Sequence, residues 1–169
     1  EVTEIYIAPE GALYAERNFL FRISTAEVEL EESDFTSLPD YNRLIASVSG
    51  TMRLSHGANG SEKLVLPRST VYAFDGGIQT HCIGKARDLN LMLRKSAAEG
   101  ELVFVDSGTE LNLEPAANET MLLFELESGN AALCAGGNAR LRCTANGQCA
   151  LFTVRLVGEA IPDFDNRNG

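Results

Sequence analysis

Residues 74–94 read FDGGIQTHCIGKARDLNLMLR, and the last seven of them bear most directly on the fold. Asp88, Asn90, Met92 and Arg94 fall on one parity, while Leu89, Leu91 and Leu93 fall on the other. An extended strand sends successive side chains to opposite faces, so this run is expected to be a strand with one apolar face. The other face carries an acid, an amide, a thioether and a guanidinium. An antiparallel strand commonly turns such a face to water. The alternative is that the polar face walls a pocket. Two turn signals, Phe74-Asp75-Gly76-Gly77 and Gly84, feed the same strand and favour the pocket. Parity alone leaves open which face points inward.

The chain has 169 residues, 44% of them apolar, which suits one ordinary domain or two small modules sharing a core. No apolar run approaches the roughly 18 residues of a membrane span, and no secretory signal is visible. A cytoplasmic protein is expected. The first residue is Glu1 rather than Met, so the chain is expected to continue upstream. Net charge is −10 and the pI is about 4.6, which disfavours nucleic acid and anionic membranes, both polyanions. A small anion could still bind where arginines converge.

Cys82, Cys134, Cys143 and Cys149 are too few and too unevenly spaced for a disulfide scaffold, and are expected to be reduced thiols. Asn146-Gly147 predicts a two-residue hairpin, which would point Cys143 and Cys149 to opposite faces. No C-x-x-C pair offers half a zinc site. The N-x-S/T sequons at Asn59 and Asn118 are read as coincidental without a secretion signal.

From the start of the chain, Val2–Ile7 alternates and ends at Pro9-Glu10-Gly11, as a strand would. Phe19–Val28 predicts a second strand with Arg22, Ser24, Ala26 and Val28 on one face. The acidic run Glu29–Asp34 reads as a solvated loop. Pro39-Asp40 marks a turn that delivers Arg43 to a strand over Leu44–Val48. Asn59-Gly60 predicts a type I′ hairpin between Leu54 and Leu64–Leu66. Lys95–Gly100 is a polar connector and the expected boundary between two halves. Residues Leu44–Leu54 align without gaps on Leu123–Leu133, sharing Leu, Ser-Gly and Leu, which suggests a duplicated strand–Gly–strand unit. Short strands at regular spacing, with turn signals and no convincing helix, predict an all-β sandwich or barrel. The tail Pro162–Gly169 is expected to be disordered.

An ordered set of segments resembles the HutD/Ves family of cupin-fold proteins. These are Thr3-Glu4-Ile5, Arg22–Val28, Phe35–Pro39 leading to Arg43, Phe74-Asp75-Gly76, and Gly84 followed by Asp88–Arg94. The resemblance covers most of the first 95 residues, and the D-x-N-x-M-x-R run after F-D-G is its most specific part. The chain departs from the family at Phe19-Leu20-Phe21, where the family has a Trp, and at Pro39-Asp40, where it has Pro-Gly. The resemblance implies double-stranded β-helix (cupin) barrels in a two-module, bicupin-like arrangement. A first module is expected over 1–95 and a second over 96–161. It also implies regulators of histidine breakdown that sense a formylated or acidic amino-acid derivative, with no established reaction.

Many cupins hold a metal, which requires two or three histidines and a carboxylate converging on one ion. This chain has two histidines, His56 and His81, and no H-x-H pair, so neither a metal nor another cofactor is expected. Cys82 beside His81 points to the opposite strand face, and no G-x-S-x-G elbow is present. Arg22, Arg43 and Arg94 each lie in or at the entry of a strand. A guanidinium facing an apolar interior must be paired, and its planar fork suits a carboxylate. Asp75 or Asp88 could be that partner, or could orient an arginine whose free edge, with Asn90 and Ser24, receives a ligand. The expected site is therefore Arg22, Ser24, Arg43, Asp75, Asp88, Asn90 and Arg94, binding a small anionic metabolite. The alternatives are a metal-independent isomerase or hydrolase using Asp75, Asp88 or His81, and a structural barrel without a ligand. An exposed edge strand would allow a homodimer.

Overall fold

A computed structural model describes residues 1–158 except Asn59 and Ser61; the side chains of Glu62 and Lys63 are also excluded. The expected disordered tail and Asn59 of the expected Asn59-Gly60 turn lie outside the described residues. The chain divides into two compact units, Glu1–Lys95 and Ser96–Gly169. The first contains β1 (Val2–Ala8), β2 (Phe21–Val28), β3 (Glu32–Asp34), β4 (Tyr41–Ser49) and β5 (Met52–His56). It continues with β6 (Glu62–Leu66), β7 (Val71–Asp75), β8 (Thr80–Ile83) and β9 (Ala86–Arg94). These form a five-stranded sheet in the order β1-β2-β9-β4-β7 and a four-stranded sheet in the order β3-β8-β5-β6. Ile45 and Ala86 from one sheet, with Met52, Leu54, Leu66 and Cys82 from the other, make a shared core that joins them.

The central strand β9 is buried on both faces. Leu89 and Leu91 are fully buried, and on the opposite face Asp88 and Asn90 are 3% and 8% exposed. A strand with its polar side in water would look otherwise; here β2 and β4 flank β9 and the polar parity is enclosed. Two of the chain's switches between these sheets lie at adjacent points, from β4 to β5 through Gly50 and from β8 to β9 through Gly84. The two crossings touch. A Cβ on Gly50 would lie 2.5 Å from the Lys85 carbonyl oxygen, and one on Gly84 would lie 2.5 Å from that of Thr51. Both glycines also have positive φ, 79° and 120°, so no other residue fits either place without strain.

The second unit contains β10 (Ala98–Val105), β11 (Glu110–Leu113), β12 (Glu119–Glu125), β13 (Ala131–Ala135), β14 (Leu141–Thr144) and β15 (Cys149–Leu156). Its sheets run β10-β15-β12-β13 and β11-β14. Cys134 and Cys149 are buried in a core with Leu113 and Leu123, against which Cys143 packs, and all four cysteines of the chain are free.

Several local expectations are corrected. Asn146-Gly147 does not close a hairpin, because β14 pairs with β11 and β15 pairs with β10 and β12; the dipeptide turns the chain from one sheet to another. In the β5–β6 hairpin the pairing ends at His56 with Glu62. The acidic run is partly strand, since Glu32–Asp34 pairs with His81–Ile83. Ala98–Gly100 belongs to β10 rather than to a connector. The aligned strand–Gly–strand segments fold differently: β4 and β5 lie in separate sheets, whereas β12 and β13 pair directly. Gly129 has the same positive φ as Gly50 but open space where a Cβ would go.

Candidate functional site

Register sets the polar side chains of the first unit in successive rungs across β2, β9 and β4. Arg22, Met92 and Arg43 share one rung. Ser24, Asn90 and Ile45 make the next, and Ala26, Asp88 and Ser47 the one after. A cavity of about 520 Å³ lies against these rungs. Beyond the Arg22–Met92–Arg43 rung the interior is filled. Phe19, Leu38 and Tyr41, all fully buried, pack with Met92 and Ala12, and the Phe19 and Tyr41 rings stack at 4.4 Å. At the other end Glu1, Glu27 and Glu29 line the opening and are exposed. The cavity is thus a cup, guanidiniums near its base and carboxylates at its rim.

The two arginines at the base differ. Arg22 is neutralised: its Nε donates to Glu4 Oε2 at 2.8 Å and its guanidinium lies 4.4 Å from the Tyr14 ring centre. Arg43 is 5% exposed, with Phe35 and Phe74 rings 5.1 and 5.5 Å from its guanidinium, and Nη1 donates a long 3.4 Å bond to the Thr36 carbonyl. Its Nε has no hydrogen-bond partner within the protein. Burial lowers its pKa from the ordinary arginine value, with Tyr14 and Asp88 opposing, yet a guanidinium stays charged at any working pH. Asp88 Oδ1 and Asn90 Oδ1 are likewise buried without a partner. Burial pushes the Asp88 carboxyl up to about 6, held back in part by Arg43 and by the Ala26 N–H. Arg43 Nε, Asp88 Oδ1, Asn90 Oδ1 and Ser33 Oγ are thus buried polar atoms without a partner in the protein, all on residues that line the cup, and leaving such atoms unmet is costly.

Of the seven residues expected at the site, Arg22, Ser24, Arg43, Asp88 and Asn90 line the cavity; Asp75 and Arg94 do not. Asp75 Oδ1 accepts from the Gly77 N–H and from Lys95 Nζ, both at 2.8 Å, and Lys95 Nζ also donates to the Pro39 carbonyl. These bonds pull its pKa below the usual carboxylate value, Lys95 first and the Gly77 N–H second. Arg94 follows Met92 on the same strand face but lies past the filled end. Its Nε donates to the Phe19 carbonyl at 3.1 Å, and Nη2 donates to the Arg17 carbonyl and to Tyr41 Oη.

Neither histidine lines the cavity. His56 is buried, with Nδ1 2.9 Å from Thr80 Oγ1 and Nε2 2.6 Å from Tyr72 Oη. Thr80 gives its hydroxyl proton to the Ile78 carbonyl, so Nδ1 carries the ring proton and Nε2 accepts from Tyr72. His81 is partly exposed and bonds Asp34 at 2.8 Å, which raises its pKa. Among the described residues no three His, Cys, Asp or Glu side chains gather where they could hold a metal ion. Tyr14, Phe35 and Thr36 were not anticipated at the site. Tyr14 opens a one-turn 3-10 helix, Tyr14–Glu16, and Phe35 and Thr36 lie in a loop; no periodicity reports the placement of either.

Two sheets closed over a polar cup define a cupin-type barrel. The HutD family model matches residues 1–155, and the chain belongs to that family. No relative among curated proteins matches it. It is similar to HutD from Pseudomonas fluorescens, solved in a formate condition, with 24% identity, coverage of 93% of this chain and 89% of that one, and a TM-score of 0.71. It is also similar to a conserved protein of unknown function from Pseudomonas aeruginosa, with 26% identity, coverage of 92% and 90%, and a TM-score of 0.71. A cupin 2 conserved barrel protein from Leptotrichia buccalis shares the fold at 10% identity, coverage of 93% and 89%, and a TM-score of 0.50.

Proposed function

We propose that the protein binds a small carboxylate metabolite in the cup of its first unit, and that occupancy regulates amino-acid catabolism, histidine breakdown being the lead. The observation that carries this reading is the partnerless Nε of buried Arg43, with the equally partnerless Asn90 Oδ1 and Asp88 Oδ1 one and two rungs along the same cup wall. A guanidinium fork matches a carboxylate, and the Asn90 amide can turn to donate as well as accept. Solution of the P. fluorescens relative in formate makes formate the natural first probe.

The test is thermal stability across small acids, formate and histidine-pathway intermediates among them. A ligand at about 100 times its Kd adds about 2.7 kcal/mol, a shift of several degrees for a chain of this size. Arg43→Ala is expected to abolish the shift. Arg94→Ala is expected to lower the melting point and keep it. Loss of the shift in both variants, or its survival in Arg43→Ala, would refute the assignment. A second reading, an acid–base enzyme acting on the same carboxylate, is favoured by the Asp88 carboxyl poised near neutral pH. Turnover of a binding acid, lost in Asp88→Asn, would replace the regulatory reading with the catalytic one.

A further inference from the structure

We infer that the cup takes up its anion together with a proton: Asp88 is neutral in the occupied site, and its O–H donates to the carboxylate that Arg43 holds. This rests on the binding site proposed above. An ionised Asp offers only acceptors, and so does a ligand carboxylate. Two such groups brought together at the buried wall of the cup repel each other when both are charged, and a proton taken up between them relieves that repulsion. Asn90 can meet an anion by turning its amide. Asp88 can do so only by taking a proton.

The surroundings select Asp88 as the carrier. It is 3% exposed, Oδ1 has no bond within the protein, and it lies two rungs from Arg43 along the cup. On β4 the one titratable group facing the cup is Arg43, the charge that keeps the empty-site Asp88 from rising further. On β2 the base holds Arg22, already matched by Glu4, and the rim holds Glu27, with Glu29 following the strand. The Tyr14 phenol faces Arg43. From β8 the buried Cys82 thiol senses Asp88 and is itself pushed up to about 11, so it remains neutral. On β3 Asp34 is committed to His81, and Glu1 sits at the rim. Every other carboxylate lining the cup is exposed, and an anion arriving at Arg43 can only push the Asp88 carboxyl further up. Where the empty-site Asp88 is ionised, each anion bound draws one proton from solvent to form the Asp88 O–H.

Formate, which has no N–H to offer Asp88, is the probe. The full chain is titrated with it between pH 5.5 and 8, with affinity read from thermal shift and the protonation of Asp88 from its side-chain carboxyl carbon by NMR. Formate Kd is expected to be level near pH 5.5 and to weaken by about tenfold per pH unit above pH 7. At pH 7.5 the Asp88 resonance moves from the carboxylate to the acid position as formate is added. Asp88→Asn binds with one affinity at pH 6 and pH 8. Equal wild-type affinity at those two pH values, with Asp88 still a carboxylate in the complex, overturns proton uptake and leaves the binding site standing. No formate binding at any pH overturns both.

Discussion

Asp88 costs the folded protein stability at neutral pH even before any ligand arrives. Its folded pKa of about 6 lies above the ~3.9 of a free Asp, so the native state holds the proton more tightly. The Asp88 contribution to stability is therefore greatest at and below about pH 4, falls as pH rises towards 6, and is level above. Two pKa units correspond to about 3 kcal/mol. Asp88→Asn, neutral throughout, should be more stable than wild type by about 2–3 kcal/mol at pH 7.5 and closely matched near pH 4 by urea unfolding. An equal difference at both pH values would mean that Asp88 is not ionised at a cost. Arg94 acts in the opposite sense. It joins the carbonyls of Arg17 and Phe19 to Tyr41, and Arg94→Ala should cost about 2 kcal/mol, since bonds from a charged donor are worth more than neutral ones. Parity alone could not separate these two residues. It reports the face a side chain takes, and Asp88 and Arg94 share one; it does not report depth, and Arg94 lies past the point where aromatic rings fill the barrel. Asp75 was closer to hand: an Asp two residues before a turn glycine readily bonds that glycine's own N–H, as it does here at 2.8 Å.

Among the elements, the paired crossings at Gly50 and Gly84 carry the sharpest structural demand. Each brings a backbone carbonyl to 2.5 Å of where a Cβ would stand, and each has positive φ. Gly50→Ala and Gly84→Ala should each destabilise by more than about 3 kcal/mol, combining backbone strain with a steric clash. Gly129→Ala, with the same sign of φ and open space, should cost only about 1 kcal/mol. Equal losses at all three would remove the clash as the cause. The contrast also explains why the apparent duplication misled. Leu44–Leu54 and Leu123–Leu133 share a glycine with the same backbone angle, but only the first glycine is wedged between sheets. Strand identity and alternation were legible because period-two patterning is local; partner choice was not, because it depends on contacts far apart in sequence. Asn-Gly marked a change of direction at 146–147 correctly and its destination wrongly, since a reversal can as well lead into another sheet.

For the whole molecule, charge works against the anion proposed for this site. A net −10 and a rim of carboxylates repel an incoming carboxylate until it reaches Arg43. Raising ionic strength from about 10 to 150 mM with a bulky non-binding salt should therefore strengthen formate binding severalfold, as the Debye length contracts from about 30 to 8 Å. Weaker binding at the higher salt would place the dominant field at Arg43 instead. The acidic balance was open to reading from composition; the segregation of charge between base and rim needed the fold. The blind base, closed by Phe19, Leu38 and Tyr41, has one more consequence. A guest that docks head-first on Arg43 keeps its tail at the doorway, so any second molecule that senses occupancy meets the tail's chemistry, and two metabolites with the same acid head can send different messages.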